Sequence, residues 1–178
     1  KHDSNLKDCL DLITEITNQK LDIKHMFPLS QSYERLLPSL GEKGGDGGQF
    51  FTPREVVRVI VDVVNPKLDS TIHDPCCGTG GFFVESFKKL LEKKPTPTQL
   101  DFIKNDCFWG IEDDDTTVVL LLANLILHEI DAPNILNGNT LTGSVDNGSL
   151  YSNSPSTFDY ILTNPPFGSK ESKTAQAR

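Results

Sequence analysis

The sequence predicts an α/β protein, a parallel sheet between helical layers with a short helical segment ahead of it. Three observations carry this. Short apolar runs of strand length alternate with longer helical patterns; a glycine-rich turn, Asp74-Pro75-Cys76-Cys77-Gly78-Thr79-Gly80-Gly81, joins the first run to a helix; and the polar motifs stand where strands end. Strands that alternate with helices pair in parallel through crossovers, and such sheets take their ligands at the carboxyl ends of the strands.

The elements follow in chain order. Residues 1 to about 40 carry short apolar helical patterns, such as Leu6, Cys9, Leu10, Ile13 and Ile16, which end at Pro38. They read as the C-terminal part of a helical domain. Gly41-Glu42-Lys43-Gly44-Gly45-Asp46-Gly47-Gly48 is too rich in glycine for regular structure and reads as a flexible connector, dividing the chain into residues 1–45 and 46–178. In Thr52-Pro53-Arg54-Glu55 we expect Thr52 as N-cap, Pro53 at the first helical position and Glu55 closing a capping box. That helix should run through Val56, Val57, Val59, Ile60 and Val63 and stop before Pro66. Thr71-Ile72-His73 is a strand ending at Asp74-Pro75, and the glycine turn leads into a helix from Gly80 to about Leu91. Pro95 and Pro97 mark a loop. Cys107 to Ile111 is a second strand, followed by a helix from Asp113 to about Ile130; Ile135-Leu136 is a third strand. Residues 143–157, rich in Ser, Asn and Gly, are expected to form a loop, and Phe158 to Thr163 is a fourth strand that delivers Asn164 at its carboxyl end.

Composition narrows the class. With 178 residues the chain has room for one domain and a small appendage, and 37% hydrophobic with 24% charged residues is the balance of a globular protein. No apolar run reaches membrane-spanning length and the first residues show no signal-peptide pattern, so the expected location is cytoplasmic, with no membrane partner. Cys76 and Cys77 are adjacent while Cys9 and Cys107 are scattered, which provides neither a disulfide framework nor a Cys-x-x-Cys metal pair. Net charge is −8, opposing nonspecific attraction to a phosphate backbone; if the substrate is nucleic acid, another chain supplies much of the grip.

Asn164-Pro165-Pro166-Phe167 carries the most specific chemistry. An amide oxygen and the following proline carbonyl can accept both N–H bonds of an exocyclic amine while a phenyl ring lies against the base. The two prolines fix φ and bias Asn164 toward an extended conformation, so these acceptors are held in place before substrate arrives. The glycine turn departs from a dinucleotide fingerprint: three positions after Gly80 stands Phe83, and the acid at the next strand end, Glu112, lies beyond the spacing of about 20 residues. A turn with a preceding Asp and no third glycine suits a ligand made of an amino acid and an adenosine.

Gln49-Phe50-Phe51-Thr52-Pro53-Arg54, Asp74-Pro75-Cys76-Cys77-Gly78-Thr79-Gly80-Gly81-Phe82, Gly110-Ile111-Glu112 and Asn164-Pro165-Pro166-Phe167 occur in that order. Together they resemble the modification (methylase) subunit of type I restriction-modification systems, an adenine-N6 DNA methyltransferase family. The resemblance implies a three-layer, Rossmann-like fold that uses S-adenosyl-L-methionine. It also implies a hetero-oligomer acting on DNA with a sequence-specificity subunit and a restriction endonuclease subunit. Residues 46–178 would be the N-terminal portion of the catalytic domain, truncated at its C-terminal end, since the family continues through further strands and a helical region.

Residue by residue, Gln49 to Arg54 match the segment that closes over the methionine part of the cofactor. Thr79, Gly80 and Gly81 match the turn beneath it, Asp74 the acid ending the first strand, and Glu112 the carboxylate that takes the ribose hydroxyls. Asn139 stands where such enzymes contact the cofactor's adenine. Asn164 and Pro165 would bind the substrate amine, Pro166 would hold them rigid, and Phe167 would stack on the flipped base. Methylation of an RNA base or of a protein glutamine nitrogen, or a truncated, inactive cofactor-binding fragment, are the alternatives left open by these motifs. Asp113, Asp114 and Asp115 read as a solvated helix start and not as a metal site. Pro75-Cys76 resembles the nucleophile motif of cytosine-C5 methyltransferases, but it sits in the cofactor turn and not at the substrate strand.

Overall fold

The computed structural model describes residues 52–142, 144–145, 148–149 and 154–166. The helical patterns before residue 45, the glycine connector, Gln49, Phe50, Phe51 and Phe167 lie outside the described residues. The strands are β1 (Ile72–Asp74), β2 (Phe108–Glu112), β3 (Asn134–Asn139), β4 (Ser144–Val145), β5 (Gly148–Ser149) and β6 (Tyr160–Ile161), in the sheet order β5-β4-β3-β2-β1-β6. β3, β2, β1 and β6 are parallel, as the alternating pattern requires. The expected loop over residues 143–157 instead contains β4 and β5, a small antiparallel extension on Gly138 and Asn139. β3 outruns β2 and so offers free backbone groups for that pairing.

The helices are α1 (Arg54–Val64), α2 (Gly81–Glu92), α3 (Pro97–Asn105) and α4 (Asp115–Leu127). α3 was not anticipated. Pro97 occupies a first-turn position, where a missing N–H costs nothing, and Thr96 with Gln99 forms a complete capping box; the prolines read as loop markers begin a helix. At α1 the expected capping box does not form. Pro53 is the N-cap and no side chain caps it, although a Thr cap contributes about 0.5–2 kcal/mol. The helix ends as expected before Pro66, with Asn65 in the left-handed region at φ 49°.

Alternation along the strands divides the sheet's faces. Ile72 is in register with Phe108, which meets Phe83 and Phe87 of α2 at ring-centroid distances of 5.5 and 6.5 Å. His73 is in register with Trp109 on the other face, where Phe158 stacks on His73 at 4.5 Å and lies 6.1 Å from Trp109. One buried cluster joins Val57 and Val61 of α1, the α2 aromatics, Ile103 of α3, and Leu121 and Leu125 of α4. Glu85 is buried where α1 meets α2, with Arg58 Nε at 3.3 Å, Lys88 Nζ at 3.1 Å and Arg54 Nη1 at 3.8 Å. These charges fasten α1 to α2. Among the described residues β6 pairs only with β1, and its Ile161 is 63% exposed.

Strand order reverses at β1: β2 and β3 lie to one side of it and β6 to the other. The crevice beyond the carboxyl ends at such a reversal is where open α/β sheets bind ligands.

Candidate active site

The glycine turn begins on Asp74, the last residue of β1. Asp74 is 2% exposed, and Cys76 N–H donates to its Oδ1 at 3.1 Å. Burial pushes the carboxyl up to about 7; the Thr163 hydroxyl and the Cys76 N–H pull it down and the charge of Glu112 raises it further. Thr163 Oγ1 is buried without a hydrogen bond of ordinary geometry, yet it acts on this carboxyl. The next residues tie the turn to β2: Cys77 N–H donates to Ile111 O at 3.0 Å and the Cys77 thiol to the same oxygen at 3.2 Å. Burial raises the Cys77 pKa well above its usual value, so this thiol is inert packing.

Gly78 and Gly80 both have positive φ, 52° and 80°. Their surroundings differ. A Cβ on Gly78 would meet nothing within 4 Å, so the turn borders open space there, whereas one on Gly80 would lie 2.6 Å from Leu121 Cδ1 of α4. α4 thus presses against the turn from below. It also grips it: Asn124, fully buried on α4, donates from Nδ2 to Thr79 O at 2.7 Å.

Glu112 ends β2 beside this turn. Gly78 N–H donates to its Oε2 at 2.9 Å, and Asp113 and Asp114 N–H both donate to Oε1 at 3.0 Å. Burial raises its pKa, and these backbone donors draw it back down. Three N–H donors leave part of a carboxylate's roughly four acceptor positions open. Asp114 then caps α4 by accepting from Thr117 N–H at 2.7 Å, the helix-start role read for the Asp113–Asp115 run. Among the described residues no group of three or more His, Cys, Asp or Glu could hold a metal ion.

Asn164 follows β6 on the other side of β1. Leu162 N–H donates to His73 O at 2.9 Å, which fixes the strand end, and Asn164 Nδ2 donates to Thr52 Oγ1 at 3.0 Å. Pro165 and Pro166 are exposed. The structure therefore gathers Thr52, Asp74, Thr79, Gly80, Gly81, Glu112 and Asn164 around the ends of β1, β2 and β6. The side chains of two other candidates are engaged by neighbours. Arg54 turns to Glu85, and Asn139 spends its side chain locally, donating to Asp113 at 3.0 Å and accepting from Leu141 and Thr142 N–H at 3.0 and 3.1 Å.

Sequence reasoning passed over Asn124 and Thr163. Asn124 had a visible signal, a lone amide in the apolar run Leu120-Leu121-Leu122-Ala123-Asn124-Leu125-Ile126-Leu127. Thr163 had none.

Residues 24–178 match the family model described as N-6 DNA Methylase. The chain belongs to this family. It is 32% identical over 172 residues to the methylase subunit of the type I restriction enzyme EcoEI of Escherichia coli, covering 96% of this chain and 33% of that protein. A structure solved in a study of complex assembly in the type I restriction-modification system is 35% identical, with a TM-score of 0.80 over 97% of this chain and 34% of that one. The EcoKI M protein is 32% identical, with a TM-score of 0.60 over 69% of this chain and 26% of that one. The methylase-family chain thus spans about a third of the length of the curated relative it matches, and its α/β fold is theirs.

Proposed function

We propose that the chain is the cofactor-binding and amine-binding part of a site-specific adenine-N6 DNA methyltransferase subunit of a type I restriction-modification system. The observation that carries this is the convergence of Glu112, the Asp74 turn and an Asn164 amide held by Thr52 at three neighbouring strand ends. Relatives named as type I methylase subunits favour DNA over RNA or a protein glutamine as the methyl acceptor.

The residues suit S-adenosyl-L-methionine, which supplies an electrophilic methyl group on a sulfonium. Glu112 retains acceptor capacity for ribose hydroxyls, and the turn at Gly78 offers backbone next to open space. Thr79, Gly80 and Gly81 form the floor, kept in shape by Asn124 and the α4 leucines. Gln49, Phe50, Phe51 and Pro53 complete the cofactor side, while Thr52 and Arg54 of the same segment turn to Asn164 and Glu85, and Phe167 provides the ring against the flipped base. Asn164 Oδ1 and the Pro165 carbonyl accept from the adenine amine, which frees the nitrogen lone pair and stabilises the positive charge that develops on it. No covalent intermediate is required, and the extra proton leaves afterwards.

Residues 46–178 supply the start of the catalytic domain and residues 1–45 the end of a helical one. A net charge of −8 leaves phosphate binding to other chains, a sequence-specificity subunit and an endonuclease subunit in a hetero-oligomer acting on cytoplasmic DNA. Methyl transfer from labelled cofactor to unmethylated DNA, measured with the specificity subunit present, tests the proposal. Transfer to RNA or protein alone would refute it.

A further inference from the structure

We propose that Thr52 is a positioning residue for methyl transfer: its hydroxyl, 3.0 Å from Asn164 Nδ2, holds the Asn164 amide in the place and plane in which it meets the substrate amine. This rests on the function proposed above and assigns within it a role separate from cofactor binding.

The starting point is a cap that is not made. Thr52 stands one residue before the N-cap of α1, in a sequence that favours capping, yet no side chain caps the helix and its first turn closes on Pro53 O through Val56 and Val57 N–H at 3.0 and 3.1 Å. The hydroxyl goes instead to a residue 112 positions away.

The chemistry makes that partner informative. An asparagine amide has one face that donates and one that accepts, and rotating it by half a turn exchanges them. An amine that presents N–H bonds needs the oxygen, so the wrong rotamer would meet it with a like donor. A hydroxyl can accept from Nδ2 or donate to Oδ1, so what Thr52 fixes is the position and plane of the amide, and the substrate's own N–H bonds set which end they meet.

The contact has rigid ends. On one side Arg54 and Arg58 bind the buried Glu85 of α2, while Val57 and Val61 enter the core, so the α1 N-terminus is fastened to the body of the domain. On the other side Leu162 is buried and bonded to β1 just before Asn164. Thr52 therefore braces Asn164 against α1, across the ends of β1 and β6. A small error in placing a reacting group costs on the order of 100-fold in rate, so the brace has room to matter.

The test uses the methylase assembled with its specificity subunit, measuring single-turnover transfer at saturating cofactor and DNA, and cofactor affinity by calorimetry. Thr52→Val should lower the transfer rate by about 10- to 100-fold while cofactor affinity stays within about threefold, because the amide loses its orientation and not its binding partner. Thr52→Ser, which keeps the hydroxyl, should stay within about threefold of the parent on both measures. In an Asn164→Ala background Thr52→Val should cost nothing further, since the two residues act as one unit. A valine variant that transfers at the parent rate overturns the proposal alone. So does one that loses cofactor affinity and regains full rate in excess cofactor, or one whose loss serine does not restore. A parent complex that transfers nothing to DNA refutes the function itself, and the proposal with it.

Discussion

Replacing Asp74 by asparagine should stabilise the protein, and by an amount that grows with pH. Asp74 is 2% exposed and its carboxyl is pushed from 3.8 up to about 7, chiefly by burial. A folded-state pKa above the unfolded one means that the folded protein holds the proton where the unfolded chain has released it. Stability therefore falls as pH rises from 3.8 to about 7 and levels off above that. The full loss across this window is about 4 kcal/mol, at about 1.4 kcal/mol per pH unit. Asparagine keeps an acceptor for Cys76 N–H and does not titrate, so the variant escapes the loss. Cys77, raised well above its usual value, stays a thiol throughout this range, and the Glu112 charge that helps to raise Asp74 is part of the effect the substitution removes. Urea unfolding without cofactor, at pH 5 and pH 8, should show the stability gap between variant and parent widening by about 2–3 kcal/mol. A gap that stays constant between those pH values would mean that Asp74 is not a buried acid with a raised pKa.

Other substitutions separate the remaining roles. Gly80→Ala, strained at φ 80° and driven to 2.6 Å from Leu121, should destabilise by about 2–4 kcal/mol in thermal melts; Gly78→Ala, with open space around it, should cost only about 1 kcal/mol. Glu112→Gln places an NH₂ group against backbone donors from Gly78 or Asp113 and Asp114, and calorimetry should show cofactor affinity at least about tenfold weaker. Asn164→Ala should leave cofactor affinity within about threefold of the parent and abolish transfer, measured on DNA with the specificity subunit present.

The strand-helix alternation, the four motifs and their order were legible in the sequence, because they depend on local patterns: runs of apolar residues, a glycine turn, prolines around Asn164. So was the placing of Glu112 at a strand end. Reading prolines as loop markers failed at Pro97, where proline begins a helix, and at α1 the helix start was read to within a residue while the expected Thr52 cap was traded for a distant partner.

Sequence alone thus determined the fold class through local alternation, pointed to the family through the resemblance of four short motifs, and nominated the residues proposed here to carry chemistry. The tertiary structure decided how those residues are held. That Asn124 grips the turn, that Glu112 accepts three backbone N–H groups, that Arg54 serves Glu85 and that Thr52 braces Asn164 all depend on contacts between elements far apart in the chain. Such contacts leave no periodic trace. They arise only when the sheet order brings the ends of β1, β2 and β6 together and burial drives most of the polar groups there to find partners.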